Sequence, residues 1–193
     1  MNKKPTLIII SGHPGTGKTT LSKKVSDKLN LPLIGMDAIK EVMWDTMGHE
    51  FDFEFSDKIG KTAFELVFHF IEAFLSKGIS LVVEAHFSAE RNNDRFNELK
   101  KKFNVNLVQI YCNCETEALR KRFKERMTKD SYHNGHKHVI KLYGEDRILN
   151  SLGTKYRTRL DINAATCDLD TTIPGAIDYE KLFAFINKGI NSR

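Results

Sequence analysis

Hydrophobic residues along this chain fall into two alternating patterns: short apolar runs and longer stretches with helical spacing. Apolar runs predict strands at 7–10, 33–36, 79–84 and 105–112, of which the first and third are buried, and a fifth strand is predicted at 166–171. The helical spacing predicts helices at 21–29, 38–47, from Ser56 or Asp57 to about 77, and at 89–103, 115–127, 140–160 and 178–188. Strands that alternate with helices indicate a parallel sheet covered by helices on both faces. We therefore predict an α/β fold, with one three-layer domain spanning residues 1–193.

The segment directly after the first strand contains a phosphate-binding pattern. Residues 12–19 read G-x-x-x-x-G-K-T (Walker A), between a predicted strand and a predicted helix. Its glycines allow the backbone N–H groups to approach phosphates, Lys18 supplies a positive charge, and the Thr19 hydroxyl suits Mg²⁺. The pattern predicts that ATP and Mg²⁺ are bound by residues of this loop, namely Gly12, His13, Pro14, Gly15, Thr16, Gly17, Lys18, Thr19 and Thr20.

Two carboxylates lie at the carboxyl ends of predicted strands, where such sheets bind ligands. Asp37 follows the second strand. It is either the N-cap of the next helix or a group that accepts or positions the hydroxyl of a substrate, and the two roles are compatible. Glu84 closes the third strand, where it either supports Mg²⁺ and the substrate or makes a structural hydrogen bond to the phosphate loop.

Arginines supply the second group of candidates. Arg122 and Arg126 are four residues apart and so share one helical face. Arginines that close over a transferred phosphoryl group stabilise its charge, although a charged run is also typical of a helix that faces water. Arg91 either holds the substrate or faces solvent.

Three histidines, His133, His136 and His138, occur in a predicted loop at 128–138. They resemble metal ligands, but no cysteine or carboxylate near them completes a zinc set. We interpret the segment as a mobile substrate-binding loop.

Composition narrows the function classes. The net charge is +5 and the pI is about 9.0, which favours an anionic ligand, either a nucleotide or nucleic acid. Much of this charge lies at 120–126 and 155–159, a distribution that favours a local phosphate site over a long nucleic-acid groove. No apolar run approaches the roughly 20 residues of a membrane span, and the N-terminal run is too short for a signal peptide. The three cysteines, Cys112, Cys114 and Cys167, predict neither a disulfide framework nor a zinc site, and favour a reduced, cytoplasmic protein.

Four segments together resemble the small P-loop kinases of the AAA_33-type group. They are GHPGTGKT at 12–19, MDAIKE at 36–41, VVEAHF at 82–87 and LRKRFKER at 119–126. The group is similar to bacteriophage polynucleotide kinase, chloramphenicol phosphotransferase, the zeta toxins and gluconate kinase. The resemblance implies a nucleoside-monophosphate-kinase-like sheet of order 2-3-1-4-5, with a lid at about 127–141 after the fourth strand. It also implies that Asp37 acts on the acceptor hydroxyl and that Arg122 and Arg126 are the lid arginines.

The lid departs from the pattern of these relatives. Many of them carry Arg-His-Pro-Gly-His, where this chain has Tyr132-His133-Asn134-Gly135-His136. The missing arginine implies that its phosphate contact passes to Arg126, or to Arg157 and Arg159.

Three functions fit these observations. The first is an ATP-dependent kinase that phosphorylates a hydroxyl of a small molecule. The second is a kinase of 5′-hydroxyl nucleic-acid ends that uses the basic segments to bind the strand. The third is a nucleotide-gated switch or ATPase without an acceptor, against which the position of Asp37 argues.

Overall fold

The computed structural model describes residues 4–152 and 159–191 and contains one parallel sheet. Its strands are β1 (Thr6–Gly12), β2 (Leu33–Gly35), β3 (Leu81–Glu84), β4 (Asn106–Asn113) and β5 (Ala165–Asp170). Their order is β2-β3-β1-β4-β5, and every neighbouring pair is parallel. The predicted fold class and strand order are confirmed.

Helices cover both faces of the sheet. They are α1 (Lys18–Leu29), α2 (Met36–Met47), α3 (Phe53–Leu75), α4 (Ala89–Phe103), α5 (Thr116–Met127), α6 (Asn134–Tyr143), α7 (Glu145–Ser151) and α8 (Tyr179–Ile190).

The central strand β1 is buried on both sides, and its alternate residues belong to two different cores. Leu7 and Ile9 pack in a cluster with residues of α3 and α4. Ile8 and Ile10 pack in a second cluster with residues of α1 and α8. This alternation produces the three-layer arrangement.

The start of α3 differs from the prediction. The helix begins at Phe53, because the carboxylate of Asp52 accepts a hydrogen bond from the backbone N–H of Phe55 at 2.8 Å and caps the first turn. The predicted caps, Ser56 and Asp57, lie inside the helix. Hydrophobic and acidic residues alternate one by one at 51–55, which is not the helical period. The sequence therefore predicted a loop where the first turn of α3 lies.

The lid also differs from the prediction. Helix α6 begins at Asn134, so the second half of the expected loop is helical. The expected long helix is broken at Gly144, whose φ of 84° ends α6 before α7 begins. The part of that predicted helix at 153–158 lies outside the described residues.

The strand register places the candidate residues at one edge of the sheet. Glu84, the last residue of β3, pairs with Ile10 of β1 on one side and with Gly35 of β2 on the other. The phosphate loop and the start of α2 therefore emerge next to each other, on either side of Glu84. In the described part of the chain, no helix combines the length and apolar character needed to cross a membrane.

Candidate active site

The loop at residues 12–19, called the P-loop below, is a compact turn between β1 and α1. Gly12 has a φ of 144°, and a Cβ on it would lie 2.4 Å from the carbonyl oxygen of Cys112, so only glycine fits against β4 there. Thr16 closes the turn through its backbone N–H and its hydroxyl, which donate to the carbonyl oxygen of His13 at 3.3 and 2.8 Å. Gly17 is the left-handed N-cap of α1 and leads directly into Lys18. The loop thus presents the amino end of a helix, where anions bind.

Lys18 is buried at the carboxyl end of the sheet. Its Nζ donates a hydrogen bond to the carbonyl oxygen of His13 at 3.0 Å and lies 3.8 Å from Oε1 of Glu84. Burial lowers the pKa of Lys18, whereas the nearby carboxylates of Glu84 and Asp37 act to raise it. The ammonium group is therefore held by contacts within the site.

Glu84 is 4% exposed and contacts two P-loop residues. Its Oε2 accepts a hydrogen bond from the Thr19 hydroxyl at 3.3 Å, and its Oε1 forms the ion pair with Lys18. Burial raises the pKa of Glu84, and the positive charge of Lys18 opposes this shift. The structural hydrogen bond predicted for Glu84 is therefore present, and it orients the hydroxyl that was predicted to bind Mg²⁺.

Asp37 lies in the first turn of α2, two residues beyond the end of β2. The capping prediction is wrong, because α2 already begins at Met36 and its N-cap is Gly35. The Asp37 side chain is 51% exposed, and its Oδ1 lies 3.5 Å from Nζ of Lys40. Partial desolvation on its own raises the pKa of Asp37, but the positive charges of Lys40 and Lys18, joined by that of His136 when its ring is protonated, bring it below its usual value. Asp37 is therefore an ionised carboxylate with an open side.

Arg122 connects the P-loop with the segment after β5. Its Nη2 donates to the carbonyl oxygens of Thr171 and Thr172 at 2.6 and 2.9 Å, and its Nη1 donates to that of Gly15 at 3.5 Å. The same Nη1 lies 3.4 Å from Sγ of Cys114. The alternative of a solvated arginine is wrong for this residue, since its guanidinium is turned toward the loop.

Arg126 lies one turn further along α5 and also faces the loop. A Cβ built on Gly15 would lie 3.7 Å from its Nη2. Its guanidinium carbon is 5.6 Å from the ring centroid of Tyr132, a cation–π geometry. Arg91, in contrast, is exposed on the first turn of α4.

The three lid histidines bind separate partners. His133 Nε2 lies 3.1 Å from Asp45 Oδ1, and His136 Nε2 lies 3.1 Å from Glu41 Oε1. The ring of His138 bonds to the backbone of Phe51. Between Lys4 and Leu152 and from Arg159 to Asn191, no three side chains of the metal-binding types are grouped to hold an ion. The three histidines therefore attach α6 to α2 and to the segment that follows α2.

A close contact between α2 and α6 underlies these bonds. Trp44 is 3% exposed, and a Cβ on Gly135 would lie 2.2 Å from its ring. His136 meets the same indole edge-on at 4.8 Å and stacks on Tyr132 at 5.4 Å. The lid is thus docked on the helix that carries Asp37.

His86 is a residue of this region to which the sequence analysis gave no role. Its Nδ1 lies 3.1 Å from the carbonyl oxygen of Gly12, and its ring lies 4.9 Å from that of His13. Partial desolvation lowers the pKa of His86, and the positive charges of Lys18, Lys40 and Arg91 act in the same direction, although the hydrogen bond to Gly12 opposes this. Its position two residues beyond the third strand was the available signal.

An open cavity of about 710 Å³ lies beside the start of α4, at the carboxyl ends of β4 and β5. Its walls include Glu90, Tyr111 and Asn113. Arg159, one of the residues expected to replace the lid arginine, also lines it and pairs with Asp168 at 2.7 Å. Arg157, the other such residue, lies outside the described part of the chain.

The sheet order and the P-loop define a P-loop NTPase with a kinase-like, three-layer α/β/α fold. The AAA_33 family model, described as an AAA domain, matches residues 7–145. The chain belongs to this family, as its resemblance to small P-loop kinases implied.

Solved structures agree with this assignment. A "putative kinase" from Chloroflexus aurantiacus J-10-fl is 29% identical with a TM-score of 0.82, and 96% of each chain is covered. A sugar kinase from Janibacter sp. HTCC2649 is 13% identical with a TM-score of 0.63, covering 98% of this chain and 99% of the other. A gluconokinase from Sinorhizobium meliloti 1021 is 14% identical with a TM-score of 0.50, covering 97% and 93%. The last two show similarity of fold. Among curated proteins, none matches the chain significantly.

Proposed function

We propose that this protein is an ATP-dependent kinase that transfers the γ-phosphoryl group of Mg²⁺-ATP to a hydroxyl group of a small molecule. The observation that carries the proposal is the arrangement around Glu84. The P-loop residues Lys18 and Thr19 contact this carboxylate. The ionised Asp37 follows the strand paired with it. A phosphate-binding group and a hydroxyl-binding group therefore share one edge of the sheet.

The nucleotide side of the site fits Mg²⁺-ATP. The helix amino end and Lys18 suit the phosphates. The Thr19 hydroxyl, oriented by Glu84, would hold Mg²⁺, which prefers hard oxygen ligands. When bound, Mg²⁺ neutralises charge on the β- and γ-phosphates. Arg122 connects the P-loop to Thr171 and Thr172. This placement supports a position for the adenine ring of ATP over the segment after β5.

The acceptor side of the site is centred on Asp37. In phosphoryl transfer a carboxylate accepts or positions the proton of the attacking hydroxyl. The positive charges of Lys40 and Lys18 keep Asp37 ionised, so that it is ready to accept this proton. Arg126, which faces the P-loop from the start of the lid, would stabilise the charge that develops on the transferred group. The docked lid would exclude water, which otherwise competes with the acceptor.

Two contacts favour a small acceptor over a nucleic-acid strand. The Trp44–Gly135 contact joins the lid to α2, the helix that carries Asp37, and a lid docked there would narrow the approach to that carboxylate. Two of the basic residues of α5 are also engaged within the chain: Arg120 pairs with Glu117, and Arg122 bonds to backbone carbonyls. A strand-binding channel would instead need such cations to be free for phosphates.

The acceptor dependence of ADP release tests the proposal. Purified protein is incubated with Mg²⁺-ATP, alone and with pooled nucleosides, sugars, polyols and antibiotics, and separately with 5′-hydroxyl oligonucleotides. The proposal predicts that the small-molecule pool raises ADP release at least about tenfold over the rate with water alone. Stimulation by the oligonucleotides only would favour the nucleic-acid kinase. A slow rate that no acceptor changes would favour the switch.

A further inference from the structure

His86 occupies a defined place in the row of residues that follows the strand ends. Ile10 of β1 pairs with Glu84 of β3. Gly12 lies two residues after Ile10, and His86 lies two residues after Glu84, so the two residues follow adjacent strands at the same level. Neighbouring parallel strands are about 4.8 Å apart, and the 3.1 Å contact between His86 Nδ1 and the Gly12 carbonyl shows that the chains remain close here.

Asp37 extends this row on the other side of β3. Gly35 pairs with Glu84, and Asp37 is again two residues beyond the paired position. The first glycine of the P-loop, His86 and Asp37 therefore follow three adjacent strands in order, β1, β3 and β2. His86 lies between the phosphate-binding loop and the carboxylate assigned to the acceptor.

The contact with Gly12 fixes the tautomer of His86. A backbone carbonyl oxygen only accepts hydrogen bonds, so Nδ1 must carry the hydrogen. A neutral imidazole has one ring hydrogen, and Nε2 therefore keeps a free lone pair. The side chain is exposed, and within residues 4–152 and 159–191 no hydrogen bond occupies Nε2. The protein thus leaves a hydrogen-bond acceptor available at the carboxyl edge of the sheet, on a ring that lies 4.9 Å from that of His13.

We propose that His86 binds the phosphoryl acceptor, its Nε2 accepting a hydrogen bond from a hydroxyl or amine hydrogen while Asp37 receives the reacting hydroxyl. This inference rests on the proposed kinase function and narrows the substrate class. The site selects molecules with two neighbouring donor groups, such as a diol or an amino alcohol, over simple alcohols. His86 is a substrate-binding residue here, with no part in breaking or forming bonds.

Nitrogen NMR tests the tautomer without substrate or nucleotide. Protein labelled with ¹⁵N-histidine is studied at pH 8, above the ordinary imidazole pKa of about 6.5, and the His86 signals are identified by their loss in His86→Asn. We expect a protonated Nδ1 and an unprotonated Nε2. A protonated Nε2 would overturn the inference, whatever the protein's activity.

Two variants then separate binding from structure. Asn places an amide nitrogen where Nδ1 was, so His86→Asn keeps the donor to Gly12 and loses the Nε2 acceptor. Gln places its amide oxygen near the position of Nε2, so His86→Gln restores an acceptor there. The matched control is His69→Asn, at an exposed position on α3.

The measurement is the KM for the compound that wild-type protein phosphorylates from the pool of nucleosides, sugars, polyols and antibiotics. Loss of one hydrogen bond predicts a rise of about fivefold to tenfold in His86→Asn, with the KM for ATP within twofold of wild type and with recovery toward wild type in His86→Gln. An unchanged acceptor KM in His86→Asn would overturn the role of His86 and leave the kinase function standing. An equal rise in the KM for ATP would also overturn the role of His86, because it would indicate damage to the P-loop. If the wild type yields no phosphorylated compound, the kinase function fails and the role of His86 fails with it.

Discussion

Nζ of Lys18 lies 3.8 Å from Oε1 of Glu84, and both side chains are buried where β1 and β3 end. The two strands pair at Ile10 and Glu84, and the P-loop then turns back so that Lys18 returns to the level of that pair. The same carboxylate accepts a hydrogen bond from Thr19. One side chain on a neighbouring strand therefore positions both P-loop residues that carry the proposed phosphate and metal chemistry.

Substitution of Glu84 tests this relationship. Glu84→Gln retains the size of the side chain but removes the counter-charge of Lys18 and weakens the bond to the Thr19 hydroxyl. Residues that orient metal ligands typically contribute about 10- to 100-fold to affinity or activity. We expect the concentration of Mg²⁺ needed for half-maximal ATP turnover to rise by about tenfold or more. The control is Glu65→Gln, which replaces an exposed carboxylate of α3 that pairs with Arg95. If Glu84→Gln showed the same Mg²⁺ dependence as this control, the proposed role of Glu84 would be contradicted.

Substitution of Asp37 separates the acceptor side from the nucleotide side. Asp37→Asn removes the negative charge and the proton acceptor while keeping the shape. General-base catalysis typically contributes about 10²- to 10⁴-fold, so we expect at least a 100-fold loss in phosphoryl transfer, with ATP affinity by calorimetry within about twofold of wild type. Asp57→Asn, at an exposed position paired with Lys61, should retain activity. Transfer at the wild-type rate by Asp37→Asn is incompatible with the proposed role.

The lid contact is tested by adding one methyl group. A Cβ at position 135 would lie 2.2 Å from the Trp44 ring, so Gly135→Ala must displace α6 from α2. Overpacking of this kind costs typically about 2 kcal/mol, and we expect a loss of that order in the free energy of unfolding in urea. Trp44 is the only tryptophan in the chain, so its fluorescence also reports the displacement directly.

Gly60→Ala is the matched control for the lid variant. Gly60 lies within α3, and a Cβ there would meet no atom within 4 Å. Alanine is a better helix former than glycine by about 1 kcal/mol, so this variant should be at least as stable as wild type. Equal stability of the two alanine variants would show that the lid is not packed as described.

The pH dependence of stability tests the burial of His136. Burial lowers the pKa of His136 from 6.5, although the carboxylates of Asp37 and Glu41 oppose this shift. The folded protein therefore keeps the ring neutral to a lower pH than the unfolded chain, which takes up a proton below about pH 6.5. The unfolded state then binds more protons, so this contribution to stability is complete above about pH 6.5 and is lost as the pH falls toward the lower pKa of the folded state.

Urea unfolding between pH 5 and 7.5 measures this effect. We expect His136→Gln to reduce the slope of unfolding free energy against pH below 6.5, by at most about one proton. His69→Gln, at an exposed position on α3, should keep the wild-type slope. A slope in His136→Gln that matches wild type would contradict the burial of this ring.

Much of the fold could be predicted because its signals are local. The inner strands β3, β1 and β4 are largely apolar, and β1 lies between two layers with all its residues buried. Helix α4 was predicted to the residue, because its amphipathic pattern is regular. The start of α3 was not predicted, since it depends on the cap by Asp52 rather than on periodicity. The start of α6 was missed because its amphipathic pattern is short and polar, and it is docked through contacts with a distant helix.

The candidate site shows the same division. The P-loop has a sequence pattern, and Glu84 could be found because it is a charge at the end of an apolar strand. The inward direction of Arg122 could not be read from its helix, because it is set by carbonyls 49 and 50 residues away. The tautomer of His86 depends on a carbonyl 74 residues away in the sequence. Contacts of this kind carry no local signature.

Mass spectrometry of the acceptor measures most directly whether the protein transfers a phosphoryl group to a small molecule. Wild-type protein, Lys18→Ala and the exposed control Lys23→Ala are each incubated with Mg²⁺-ATP and the small-molecule pool. We expect a compound heavier by one phosphoryl group with wild type and Lys23→Ala, and a yield at least about 100-fold lower with Lys18→Ala, because the phosphates lose their buried charge partner. ADP formed by the wild type without any phosphorylated compound, or a product equally abundant with Lys18→Ala, would contradict the proposed kinase function.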